Sequence, residues 1–314
     1  MNEQLTTTAL TIAASAVTLL LSNQALAQYN FTPINAPLGV NGTSAYGISG
    51  NNIVGSYLDS QHTQHGFLFD GSSWATLNDP LAVNGTTAFG VYGNNIVGVY
   101  IGSGYHSDGF FYNGSSWTTL NDPLAVNGTT AYGVYGNNIV GSYVDGQYKQ
   151  RGFLFDGSNW TTLDDPLAVN GTTAYGIYGD NIVGAYTGSS GYCGFLYNGS
   201  SWITLNDPLG VEGTVAHGIC GNNIVGEYFD SQNYTHGFLY DISTGIYTTI
   251  DNPLGVKGTG LASIDGNNIV GNYTDSSLNG HAFEVTPVPE PSISAVTGLG
   301  VASLLMFHRR NLCA

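Results

Sequence analysis

The chain has 314 residues, of which 42% are hydrophobic, 12% aromatic and only 8% charged. That apolar content is enough for a packed core and excludes an intrinsically disordered chain, despite 45 glycines. With 21 acidic residues against 5 basic ones and a net charge of −16, nucleic acid and anionic lipid are excluded as partners of the main domain; the acid excess serves solubility outside the cell or attracts cations such as calcium.

Residues 1–27 read as a secretory signal peptide. Positions 5–22 are apolar and hydroxyl-rich, and Ala25-Leu26-Ala27 fits a small-x-small cleavage site before Gln28. The start departs from the usual pattern in carrying Glu3 and no Lys or Arg.

Residues 28–286 are a repeat. Asn-Asn-Ile-Val-Gly recurs six times, with its Ile at 53, 96, 139, 182, 224 and 269, so the spacings are 43, 43, 43, 42 and 45. The fourth copy opens on Asp180. A period in the forties means one supersecondary unit used repeatedly. One copy parses into four extended pieces: 130–135, 138–143, 152–155 and 160–163. Gly136-Asn137 suits a tight hairpin, Asp156 to Asn159 a second turn, and Asp165-Pro166 ends the pattern, because proline donates no ladder hydrogen bond. β-Branched and aromatic residues fill the pieces and no helical periodicity appears.

Four antiparallel strands per period predict an all-β, six-bladed β-propeller. Phe31 to Asn35 before Pro37 matches Trp74 to Asn78 before Pro80, a fourth strand; Ala282 to Val285 matches Gly66 to Phe69, a third. The last blade therefore lacks its outer strand and the N-terminal strand completes it, closing the ring. A β-solenoid is the alternative, and it has no need of such an offset. The first strand lines the channel. Trp74, Trp117, Trp160 and Trp202, with Tyr247 in the fifth copy, stand on the outer strand as packing between blades or as a sugar-stacking row.

Residues 287–292 form a Pro-rich linker holding Pro289-Glu290-Pro291, and 293–314 an apolar stretch closed by Arg309 and Arg310. The apolar run of 293–307 would span about 22 Å as a helix, short of a full bilayer core. It implies transient membrane association with the basic end cytoplasmic.

This tail resembles the PEP-CTERM sorting signal of bacterial surface proteins: Pro289, Glu290 and Pro291 fall on its motif and Arg309 and Arg310 on its basic end. The resemblance implies an exosortase-type sorting enzyme as a partner and delivery to the cell surface or matrix. His236-Gly237-Phe238 and His281-Ala282-Phe283 resemble the extracellular HAF-repeat family over most of residues 28–286. Most copies carry Gly for Ala, and Asp108, Arg151 and Cys193 stand where the His is lost. That family implies no catalytic residues.

The copies differ most between their second and third strands. His62, His65, His106, Asp108, Lys149, Arg151, Asp230, His236 and His281 fall there, which makes these loops the candidate binding face; loops on a rigid scaffold carry function, although exposed loops also simply drift. His62 and His65 lack a third ligand of fixed spacing, so no zinc site is expected. Asp79, Asp122, Asp165 and Asp207 precede prolines and read as turn caps, with a calcium-binding carboxylate ring as the alternative. No nucleophile elbow or phosphate loop is present. Cys193 and Cys220 fall far apart within a blade and are expected as unpaired thiols. These features predict an exported, non-enzymatic binding or structural protein that contacts matrix polysaccharide or a surface protein. A secreted propeller glycoside hydrolase or polysaccharide lyase is the alternative, to be recognised by carboxylates converging in the channel.

Overall fold

The computed structural model describes residues 29–189 and 191–288. Both sequence signals, residues 1–28 and Pro289 to Ala314, lie outside the described residues. The chain divides into two compact units, Phe31–Val285 and the pair of ends Met1–Asn30 with Thr286–Ala314. Among the described residues there is no helix, and hence none long and apolar enough to cross a membrane.

The unit Phe31–Val285 is a six-bladed β-propeller. Blade 1 runs through Thr43–Ser49, Asn52–Leu58, Gln64–Phe69 and Trp74–Leu77, and blade 2 through Thr86–Tyr92, Asn95–Ile101, Ser107–Tyr112 and Trp117–Leu120. Blade 3 holds Thr129–Tyr135, Asn138–Val144, Gln150–Phe155 and Trp160–Leu163; blade 4 holds Thr172–Tyr178, Asn181–Gly188, Gly191–Tyr197 and Trp202–Leu205. Blade 5 comprises Gly213–Cys220, Asn223–Phe229, Thr235–Asp241 and Ile246–Thr249, and blade 6 comprises Gly258–Asp265, Asn268–Thr274 and Gly280–Pro287. Each blade is an antiparallel meander. The strand Tyr29–Ile34 pairs beside Gly280–Pro287 as the fourth strand of blade 6.

The repeated words of the sequence have packing reasons. The Gly of each Asn-Asn-Ile-Val-Gly leaves room for the next strand's Phe: a Cβ on Gly141 would stand 2.7 Å from Phe153 Cε1 and Cζ. Those phenylalanines, Phe67, Phe110, Phe153, Phe195, Phe238 and Phe283, are among the most deeply buried side chains. The Val of the motif points the other way, into the neighbouring blade: Val54 joins the cluster of Ala88, Ile96 and Phe110, and Val97 that of Ala131, Ile139 and Phe153. The cores therefore lie between blades, which is why no blade is stable alone. The tryptophans pack against these clusters between blades, and each also stacks within its own blade. Trp74 stacks on Phe69 at 4.6 Å and tilts on Phe67 at 5.1 Å, both in its own blade, because the pleat places strand-three and strand-four partners directly opposite. Gly136, at φ 61°, is the first central residue of the two-residue turn between Tyr135 and Asn138, the glycine position of a type II′ hairpin.

Ring closure uses side chains as well as backbone. Phe31 meets Phe283 at 5.4 Å, and one cluster joins Ile34 and Ala36 to Val270 and Ala282 of blade 6 and Ile53 and Phe67 of blade 1. Asn272 donates from Nδ2 to Ala45 O at 2.9 Å and accepts from Ala45 N at 3.0 Å, tying blade 6 to blade 1.

Candidate functional site

The loops between second and third strands share one face with the loops that lead from each fourth strand into the next blade. Backbone hydrogen bonds join the two sets: Val83 N to Ile101 O at 2.8 Å, Val126 N to Val144 O at 2.9 Å and Val169 N to Thr187 O at 2.8 Å.

On this loop face most polar side chains turn inward. His65 stacks on Tyr57, and its Nε2 lies 3.1 Å from Asp59 Oδ2 while Nδ1 lies 3.1 Å from Asn78 Oδ1. His236 repeats this with Tyr228, Asp230 and Asp251, and His281 with Tyr273 and Asp275. In blade 3 the guanidinium of Arg151 takes the imidazole's place, bonding Asp145 at 2.9 Å and also Asp164. Asp108 inverts the polarity: it accepts from Asn121 Nδ2 at 2.9 Å, and the loop position where blades 1, 3, 5 and 6 carry Asp is Gly102. Opposite charges thus meet in blades 1, 3, 5 and 6 and a neutral amide holds Asp108 in blade 2, which places five of the nine loop residues singled out by sequence, with Asp230 as a sixth, in staples that hold the loops. His62, His106 and Lys149 are exposed.

The staples set the titration of the loops. Asp275 is held down to about 2 by its His281 hydrogen bond, then by the Asn279 amide. Asp59, Asp145 and Asp230 fall in the same direction, led in each by a loop amide, from Thr63, Lys149 and Tyr234. Burial pulls His236 down, but Asp251 and Asp230 together outweigh it and raise its pKa.

Outward from the staples, the face is apolar and aromatic. Leu38, Val40, Leu81, Val83, Leu124, Val126, Leu167, Val169, Leu209, Val211, Leu254 and Val256 are each 52% to 67% exposed. Tyr105 and Tyr148, at loop tips with φ 63° and 59°, are 82% and 79% exposed. His62, Asn233 and Leu278 occupy the same left-handed position in their blades. Sequence reasoning missed the Leu and Val crown, although the recurring Asp-Pro-Leu-x-Val phrase carried it: two aliphatics inside a turn, with no strand to bury them.

The preceding Asp is a buried cap. Asp165 Oδ1 accepts the Leu167 amide at 2.8 Å, its own amide donates to Thr172 Oγ1 at 3.0 Å, and Asp79, Asp122 and Asp207 repeat this. Asn252 does the same in the fifth copy through its side-chain oxygen. Burial raises the pKa of all four carboxyls. Among the described residues no three His, Cys, Asp or Glu converge as a metal site, and Cys193 and Cys220 are free.

The channel is lined by the six first strands. Each carries a β-bulge at one residue: Tyr46, Phe89, Tyr132, Tyr175, His217 and, in blade 6, Ala262. A bulge re-aims its side chain, and here it makes an arc of rings across the channel with centroids 5.0, 5.0, 5.0 and 4.9 Å apart from Tyr46 to His217. The glycine that follows the bulge in blades 1 to 5 is dictated by crowding at the axis: a Cβ on Gly47 would lie 2.6 Å from Phe89 O.

The chain matches no family model and no curated protein. Among solved structures it is similar to SapL1 lectin in complex with alpha methyl fucoside, at 15% identity over 81% of this chain and 99% of that one, with a TM-score of 0.49. It is similar to Aleuria aurantia lectin, a six-bladed propeller with its own mode of fucose recognition, at 12% identity over 82% and 99% of the two chains, TM-score 0.49. It is also similar to Trypanosoma rangeli sialidase, at 10% identity over 90% of this chain and 60% of that one, TM-score 0.46.

Proposed function

We propose that the protein is an exported, non-catalytic binding propeller of the cell surface or matrix that engages carbohydrate through its loop face. The observation that carries this reading is the sorting of side chains there. Polar groups of the loops are consumed in staples, while tyrosines and aliphatics stand outward on hairpins whose conformation is fixed. Such surfaces suit the apolar faces of pyranose rings, which stack on tyrosine with a hydroxyl left free to hydrogen-bond. Exposed apolar area on this scale marks an interaction site. The channel supports binding over hydrolysis: glycoside hydrolysis ordinarily uses a pair of carboxylates, whereas among the described lining residues Glu227 stands alone at this mouth and Asp265, at the hairpin end of its strand, lines a different opening and accepts the Gly50 amide. Delivery through the N-terminal signal and an exosortase-type sorting enzyme belongs to the same proposal and rests on the sequence resemblance.

The test is a glycan array run with the wild type and a Tyr105→Ala/Tyr148→Ala double variant, beside an assay for reducing-end release. Wild type is expected to retain polysaccharide without releasing sugar, and the double variant to lose retention. Release of reducing ends, or retention indifferent to both tyrosines, overturns the reading.

A further inference from the structure

Sixfold repetition supplies an internal reference: a residue that departs from the repeat in one blade, and gains no short internal hydrogen bond by doing so, keeps lone pairs open to a ligand; Glu227, whose one charged neighbour among the described residues is His217 at 3.5 Å, is such a residue. Two such departures meet at the channel mouth between blades 5 and 6. Ala262 replaces the ring that the bulge carries in the other blades, and the space opens into a pocket of about 470 Å³. Such a volume accommodates one or two sugar residues. Glu227 faces this pocket from the second strand of blade 5, at the position held by Ser56, Val99, Ser142, Ala185 and Asn272 in the other blades.

Asn272 spends both amide atoms on the next blade's backbone. Glu227 cannot do so, because both its oxygens only accept. Its carboxylate lies 3.5 Å from His217 Nε2, against Gly260, and accepts no hydrogen bond from the described residues. Gly260 leaves room for that placement: a Cβ there would press on Glu227 Oε2 and turn the flexible carboxylate aside. A second pocket of about 250 Å³ touches the other side of the same His217 and Glu227 pair, so the carboxylate stands on a ridge between two openings.

We propose that this mouth is a binding site for an amino sugar, a pyranose bearing an ammonium group. Glu227 would be its counter-charge, and the ring of Tyr46, which lines the pocket beside Ala262, its stacking surface. A carboxylate with open lone pairs beside aromatic faces selects a cation that also donates hydrogen bonds. The chain's net charge of −16 favours the same sign. Lys257 also lines the pocket, but its ammonium is drawn over the Tyr234 ring, 5.9 Å from the centroid. The choice of a sugar rests on the carbohydrate-binding reading; the position of the site does not.

Calorimetry on the full chain with glucosamine, N-acetylglucosamine and glucuronate tests this. Glucosamine is expected to bind about tenfold or more tighter than N-acetylglucosamine, as loss of one charged hydrogen bond predicts, with glucuronate weakest. Glu227→Gln should erase that preference while leaving the denaturation midpoint unchanged. Gly260→Ser, the residue found at Ser44 in blade 1, should displace the carboxylate and weaken glucosamine to the same degree. Tyr105→Ala/Tyr148→Ala should leave glucosamine binding untouched. Equal affinity for the two hexosamines, or glucosamine binding indifferent to both Glu227→Gln and Gly260→Ser, overturns the proposal. Absence of glucosamine binding, with polysaccharide retention still dependent on the two tyrosines, overturns the amino-sugar site alone. Absence of both overturns it together with the carbohydrate reading.

Discussion

Deletion through Ile34, so that the protein starts at Asn35, removes the fourth strand of blade 6 and opens the ring. Ile34 is 5% exposed, and burying such a side chain contributes about 1.5–3 kcal/mol. The Phe31 and Phe283 pair, with centroids 5.4 Å apart, adds about 0.5–1.5 kcal/mol beyond its area. Phe283 and Val285, now fully buried, would be uncovered, and the Gly280–Pro287 strand would present a bare edge. Together these losses reach at least about 3–5 kcal/mol, a large share of the 5–15 kcal/mol that holds a domain of ordinary stability. Urea denaturation followed by tryptophan fluorescence is expected to show a markedly lower midpoint, with concentration-dependent aggregation through the open edge. A synthetic peptide spanning residues 28–36, supplied in trans, should restore part of the loss. An unchanged midpoint and slope for the truncated protein would refute closure by the N-terminal strand.

Further expectations follow from the caps and staples. Asp165→Asn keeps the acceptor for the Leu167 amide, as Asn252 already does in its own loop, whereas Asp165→Ala should cost about 1 kcal/mol; paired urea curves decide it. Because burial raises the Asp165 carboxyl above its unfolded pKa, its ionisation opposes folding as pH rises from about 4, so Asp165→Asn should be at least as stable as wild type at neutral pH. His236 has a raised pKa, so its contribution is complete below its unfolded value near 6.5 and fades as pH rises through the folded one; imidazole NMR should place that titration above the free value, and His236→Gln should flatten the stability profile there. Asp275 contributes in the opposite sense. Its share is present above about 4 and is lost as pH falls toward about 2, which an acid titration of Asp275→Asn against wild type would show. Gly141→Ala should destabilise by about 1–3 kcal/mol or more, because the added Cβ presses first on the Thr130 carbonyl and then on the Phe153 ring, and Gly141→Ala/Phe153→Leu should recover little because the backbone clash remains; thermal melts measure both.

What the sequence determined by itself was everything local and repeated. A period near 43 and strand-length alternation specify four antiparallel strands per unit, and the offset between Phe31 to Ile34 and Ala282 to Val285 specifies how the ring shuts. Those are backbone matters, written in glycines, prolines and β-branched residues at fixed intervals. Only the tertiary structure decided which side chains remain free. His65, His236, His281 and Arg151 look available as a string of letters, yet each finds an aspartate across a loop or on the neighbouring strand end. Glu227 looks like one more variable position, and in the fold it meets His217 at 3.5 Å while Gly260, thirty-three residues later, leaves the space in which its carboxylate lies against the next blade. Neighbours across a blade interface are set by the radial arrangement, and a linear repeat does not reveal which departures from it have been compensated.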